Sequence, residues 1–96
     1  MEKSPINELQ QLMVITAEEC AELSQVCMKI IRKYDTVKSI DDAKWKQKLL
    51  EEVGDVYCMI DLLLEHGLID ENQVYQRAQV KREKLKTWST LINDKN

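Results

Sequence analysis

The chain has 96 residues and a formal net charge of −3 at pH 7, a length that suits one domain but buries a modest share of its own surface. With two glycines, one proline, no phenylalanine and charged residues at 32%, the composition forms helices rather than sheets. The mild acidity announces no polycationic surface for a nucleic-acid polymer at the level of the whole chain, although the charge is unevenly distributed. The longest apolar run, Met59 to Leu64, is broken by Asp61 and is far too short to cross a bilayer.

In chain order, Ser4 is read as the cap of a first helix, with Pro5 at its first helical position. Leu9, Leu12, Thr16, Glu19, Leu23, Val26 and Ile30 follow in steps of three or four, which predicts a helix ending near Tyr34. The stretch DTVKSI is the connection, and Ser39 or Asp41 caps a second helix. Its stripe runs Trp45, Leu49, Glu52, Val53, Val56, Ile60, Leu63 and stops at His66-Gly67, a basic-capable side chain followed by the glycine expected just past a helix end. Asp70 with Gln73 resembles a capping box without its usual Ser or Thr, and opens a third helix through Val74, Ala78, Lys81, Leu85 and Trp88. Asn93 to Asn96 reads as a disordered tail. The fold class is all-α, a single domain over residues 1–96 with three main helices.

Cys20, Cys27 and Cys58 lie in apolar contexts with no Cys-x-x-Cys spacing, as reduced packing residues of a cytosolic protein do. The first residues lack a signal-peptide pattern, so the expected location is cytoplasmic, with no membrane partner. Met13, Met28 and Met59 are expected to fill the core. Asp61 is expected to be buried, with a lysine of the third helix or of a partner chain as its candidate partner.

Two acidic clusters sit where the apolar stripes run. The segment AEECAELSQ carries Glu18, Glu19 and Glu22, and LEEVGDVYC carries Glu51, Glu52 and Asp55. At about 100° per residue, Glu19 and Glu22 lie within about 60° of each other around the helix axis, as do Glu52 and Asp55. Glu18 with Glu22 and Glu51 with Asp55 are like-charge pairs at the i,i+4 spacing, which destabilises a helix. Glu19 falls between Thr16 and Leu23 on the stripe, and Glu52 between Leu49 and Val56, so a cation is expected among them. An all-carboxylate set without His or Cys suits hard ions such as Mg²⁺, with Mn²⁺ as a substitute, rather than zinc or copper. Carboxylate-bridged iron in a helical bundle uses Glu-x-x-His, and the single histidine, His66, has Leu63 three residues before it.

EECAE followed by EVGD resembles the E-E-x-x-E then E-x-x-D signature of the MazG-like, all-α nucleoside triphosphate pyrophosphohydrolases, over about Leu12 to Lys86 and including the glycine of the second motif. The resemblance implies metal ligation by Glu19, Glu22, Glu52 and Asp55, with Glu18 near the metal or the attacking water. It further implies hydrolysis of (deoxy)nucleoside triphosphates between the α- and β-phosphates, giving a nucleoside monophosphate and pyrophosphate. Such chemistry requires neutralised phosphate charge, an in-line water and a stabilised leaving group, which carboxylate-held Mg²⁺ provides. Glu18 and Glu19 are both candidates for the base.

The segment RAQVKREKLK, residues 77–86, has five basic residues and one acid. Family members carry phosphate-binding basic residues at about this position, so Lys81 and Lys84, with Arg77, are assigned to the substrate's phosphates; the competing reading is a solvated helix face. Trp45, seven residues before Glu52, and Tyr34 can stack on a nucleobase or pack in a core. Three helices do not close a four-helix core, and the family packs helices from two chains around each site, so a homodimer or dimer of dimers is expected. A related enzyme, phosphoribosyl-ATP pyrophosphohydrolase, is disfavoured by Cys58, where that family typically shows histidine. A non-enzymatic helical dimer or interaction module leaves the like-charge pairs unexplained.

Overall fold

In the computed structural model, which describes residues 6–40 and 43–92, the chain is helical, with α1 spanning Glu8–Lys33, α2 Ala43–Glu65 and α3 Glu71–Trp88. No strand occurs among the described residues. None of the helices is long and apolar enough to cross a membrane.

The start of α1 differs from the sequence expectation. Asn7 is the cap: its Oδ1 accepts from the Gln10 backbone N–H at 2.8 Å, and the Asn7 N–H donates to Gln10 Oε1 at 3.0 Å. This reciprocal pair satisfies two backbone donors that a helix start leaves open. Ser4 and Pro5 lie outside the described residues. The helix ends as expected at Tyr34, whose extended backbone stops propagation while its N–H still reaches the Ile30 carbonyl at 2.9 Å.

The connection contains a single 3-10 turn, Val37–Ser39. Thr36 Oγ1 accepts from the Ser39 N–H at 3.1 Å and Ser39 Oγ accepts from the Thr36 N–H at 3.2 Å. Ser39 is thereby bound to the turn rather than capping α2, and Asp41 lies outside the described residues. At the far end of α2, Gly67 takes φ of 72°, a left-handed conformation that glycine adopts without a Cβ penalty. Asp70 then caps α3 by accepting from the Gln73 N–H at 3.0 Å.

The chain divides into two compact units, residues 1–63 and 64–96. In the first, α1 and α2 run antiparallel: Lys33 meets Trp45 near the connection, and Glu19 and Glu22 meet Glu52 and Asp55 further along. Its core is thin. Leu12, Val26, Trp45 and Met59 are buried, and Thr16, Glu19, Leu23, Leu49, Glu52 and Val56 are half-buried. These are the predicted stripes, apart from Leu9 and Val53, which are 53% and 44% exposed. Both sit toward the edge of their stripe, where curvature of the helix surface turns a side chain outward.

Beyond that edge runs a second stripe on each helix. On α1 it passes through Leu9, Met13, Ala17, Cys20, Cys27 and Ile31, all exposed and within an arc of about 80°. On α2 it comprises Leu50, Val53, Gly54, Tyr57, Cys58 and Asp61, likewise exposed. This corrects three expectations. The cysteines are exposed rather than packed; their apolar neighbours in sequence belong to the outer stripe. Met13 and Met28 are exposed, leaving Met59 as the methionine in the core. Asp61 is exposed rather than buried.

In the second unit, every residue of α3 is exposed except Leu85, which is half-buried. Arg77, Lys81 and Lys84 are exposed and, at spacings of four and three, share a face. Near its end Lys86 Nζ pairs with Glu83 at 3.1 Å. Asn93 to Asn96 lie outside the described residues.

Candidate metal centre

Glu19 and Glu22 project from successive turns of α1, Glu52 and Asp55 from successive turns of α2. Because the two helices are antiparallel and in register at this level, the pairs face each other. One carboxylate oxygen from each of the four residues lies within 4.8 Å of the other three. Four formal negative charges in so small a volume repel, and nothing of opposite sign among the described side chains pairs with them.

Burial divides the four. Glu22 and Asp55 are exposed, whereas Glu19 and Glu52 are half-buried on the seam. One oxygen of each seam residue, Glu19 Oε2 and Glu52 Oε2, is buried without a hydrogen-bond partner. The titration behaviour follows from this placement. Glu19 is pushed above the ordinary carboxylate value first by loss of solvent and then by the charges of Glu22, Asp55, Glu52 and Glu18. Glu52 is pushed up by loss of solvent, by the charges of Glu22 and Asp55, by a side-chain hydrogen bond with Glu22, and by Glu51. Both shifts have one physical origin, carboxylates of like charge gathered where solvent is partly excluded.

The donor set fits a divalent cation. Oxygens bound to one Mg²⁺ at about 2.1 Å lie no more than about 4.2 Å apart, so the observed spacing closes onto an ion with side-chain adjustments below about 1 Å. Four carboxylate oxygens leave coordination positions for water or phosphate oxygen, the arrangement hard cations use when they bind polyphosphates. Carriage on two helices fixes the set more firmly than a loop would.

The other predicted site residues are placed as follows. Glu18 is exposed beside Glu19 and outside the four converging oxygens, and adds to the field that raises Glu19. Glu51 is exposed and accepts from Gln47 Nε2 at 3.0 Å. Trp45 is 8% exposed, a packing position, with Lys33 Nζ at 5.4 Å and Lys44 Nζ at 6.0 Å from its ring centroid. Tyr34 is half-buried and, with Ile31, Arg32, Lys33, Asp35 and Ser39, lines an open hollow of about 570 Å³ at the end of α1. This hollow had no signature in the sequence, because it is shaped by the cap of α1 and the 3-10 turn. Arg77, Lys81 and Lys84 belong to the second unit. Comparison of the chain with protein-family models, with curated proteins and with solved structures finds no match.

Proposed function

We propose that this chain is a metal-dependent nucleoside triphosphate pyrophosphohydrolase of the MazG-like kind, cleaving between the α- and β-phosphates to release pyrophosphate and a nucleoside monophosphate. The observation that carries the reading is the convergence of four carboxylates from two separate motifs, with two of their oxygens buried and unpartnered on the seam. A structural helix pair gains nothing from such an arrangement. It becomes favourable once Mg²⁺, or Mn²⁺ in its place, is held by Glu19, Glu22, Glu52 and Asp55. When bound, the cation neutralises phosphate charge and acidifies water.

The chain's own residues complete the chemistry. Attack of a water oxygen on the α-phosphorus breaks the bond to the bridging oxygen, pyrophosphate leaves with that electron pair, and the water's proton passes to a carboxylate. Glu18 suits this last role because it borders the cluster and is not among the four converging oxygens. The exposed basic face of α3 suits the phosphates of the substrate. Self-association into a homodimer or dimer of dimers accords with the thin core and with the outer apolar stripes of α1 and α2.

The deciding experiment measures pyrophosphate release from the common ribo- and deoxyribonucleoside triphosphates, with Mg²⁺ and with chelator, alongside light scattering of the same sample. Mg²⁺-dependent release of stoichiometric pyrophosphate and monophosphate supports the reading. Release of orthophosphate, or none from any triphosphate, overturns it.

A further inference from the structure

Thr16 occupies the seam position one helical turn before Glu19. A threonine inside a helix commonly returns its hydroxyl to the carbonyl one turn back, but Thr16 Oγ1 is buried and makes no hydrogen bond. An unpaired buried hydroxyl destabilises a fold, and valine offers the same branched shape without it. A buried hydroxyl without an acceptor leaves a donor open to a partner. The seam supplies acceptors: Glu19 Oε2 and Glu52 Oε2 are buried and unpartnered as well. The remaining buried, unpartnered donor, Trp45 Nε1, lies seven residues from Glu52, about 10 Å along α2. Thr16 is only about 4.5 Å along the axis from Glu19, with about 5 to 6 Å between their Cβ atoms. Helical side chains tilt toward the helix N-terminus, so that of Glu19 leans over the turn that carries Thr16.

We propose that Thr16 is a positioning residue of the carboxylate site, its hydroxyl donating to the Glu19 carboxylate and holding that side chain in the conformation that binds the cation. The proposal rests on the metal reading given above and adds to it an outer partner of the kind that orients metal-binding carboxylates.

The test is Mn²⁺ binding to the intact chain, followed by the electron paramagnetic resonance signal of free Mn²⁺, for wild type, Thr16→Val and Thr16→Ser. Thr16→Ala serves as a second donor-free variant, and melting in chelator checks folding. Valine and alanine are expected to weaken Mn²⁺ binding about ten- to a hundredfold, while serine, which keeps the donor, stays within about twofold of wild type. In chelator the valine variant should melt no lower than wild type, because an unpaired hydroxyl has been removed. Equal affinity in wild type and both donor-free variants overturns the role of Thr16 and leaves the metal site standing. Equal weakening in serine and valine overturns it too, since shape rather than the donor would then matter. Absence of saturable Mn²⁺ binding by wild type overturns the metal reading, and the Thr16 proposal with it.

Discussion

Along the seam between α1 and α2, midway between buried Leu12 and Val26 on one helix and between Trp45 and Met59 on the other, the chain places Glu19 and Glu52. Roughly 80° to 160° around the same helices, Leu9, Met13, Ile31, Leu50 and Tyr57 face outward and are more than two-fifths exposed. Charge lies inside and hydrocarbon outside, the reverse of what solvent alone selects for a helix pair. On the function proposed above, a different occupant would relieve each inversion: a cation at the seam and protein surface on the outer stripes. The two faces can therefore be perturbed separately.

The largest expected effect comes from Glu52→Gln, which keeps the shape of the side chain and removes one ligand charge from the seam. Pyrophosphate release should fall at least about a hundredfold, beyond what loss of an outer-shell partner usually causes. Stability should move the other way. In chelator the variant should melt as high as wild type or higher, because repulsion with Glu22 and Asp55 is relieved. Added Mg²⁺ should raise the melting temperature of wild type more than that of the variant, since a ligand stabilises only the state that binds it. A variant less stable in chelator and fully active would make Glu52 a structural residue and remove the distinction between the two faces.

Next in size are Lys81→Ala and Lys84→Ala. Both lysines are exposed on α3, so folding and melting should not change. If they meet phosphate, each variant should lose about ten- to a hundredfold in kcat/KM, the weight of a charge-assisted hydrogen bond. Wild-type kinetics in both would make this side of α3 a solvated face, and function would then be confined to the helix pair.

The comparison also shows what could be read from the sequence and what could not. Periodicity located the three helices and the seam, because steps of three and four residues are fixed by the helix itself. The same reasoning singles out Glu19 and Glu52 as charges in phase with apolar residues, with Glu22 and Asp55 one turn further along, while the set of four as metal ligands comes from the family resemblance. The cysteines and Asp61 were misplaced for a related reason: each helix carries two apolar stripes, and local context does not say which one a residue joins. The unpartnered hydroxyl of Thr16 is not legible in the sequence, because a threonine on a stripe looks like any other half-polar core residue. The cap at Asn7 carries little local signal beside Ser4-Pro5, which is the stronger pattern, because the Asn7–Gln10 pair depends on a reciprocal hydrogen bond.

A smaller effect lies in the pH dependence of stability. Glu19 and Glu52 are held above their ordinary value of about 4.5 in the folded chain, so between that value and the raised one the folded state binds more protons than the unfolded. Unfolding free energy must then fall as pH rises through this window. Melting in chelator should be higher near pH 5 than near pH 7, once the shared contribution of other carboxylates is subtracted with Glu19→Gln/Glu52→Gln as the reference. Saturating Mg²⁺ should reverse the sign, because ions and protons compete for the same oxygens and the bound carboxylates titrate below their unfolded value. An identical slope with and without Mg²⁺ would detach the seam carboxylates from metal.

The smallest effect tests the outer stripe at Gly54. Glycine inside a helix is less stable than alanine by about 1 kcal/mol, and a Cβ added at Gly54 meets no atom within 4 Å. Among the described residues nothing therefore calls for a glycine there, although Leu50, Val53 and Tyr57 surround the position with exposed hydrocarbon. A second chain seated on this stripe would supply the reason, since a missing Cβ lets another backbone approach closely. In the monomer at high dilution, Gly54→Ala should gain up to about 1 kcal/mol in urea unfolding. At concentrations where wild type associates, the gain should vanish or reverse, and light scattering should show weaker association. Equal stabilisation at every concentration would mean that the outer stripe is not covered at Gly54, and that the contact between chains, if any, is centred elsewhere on α1 or α2.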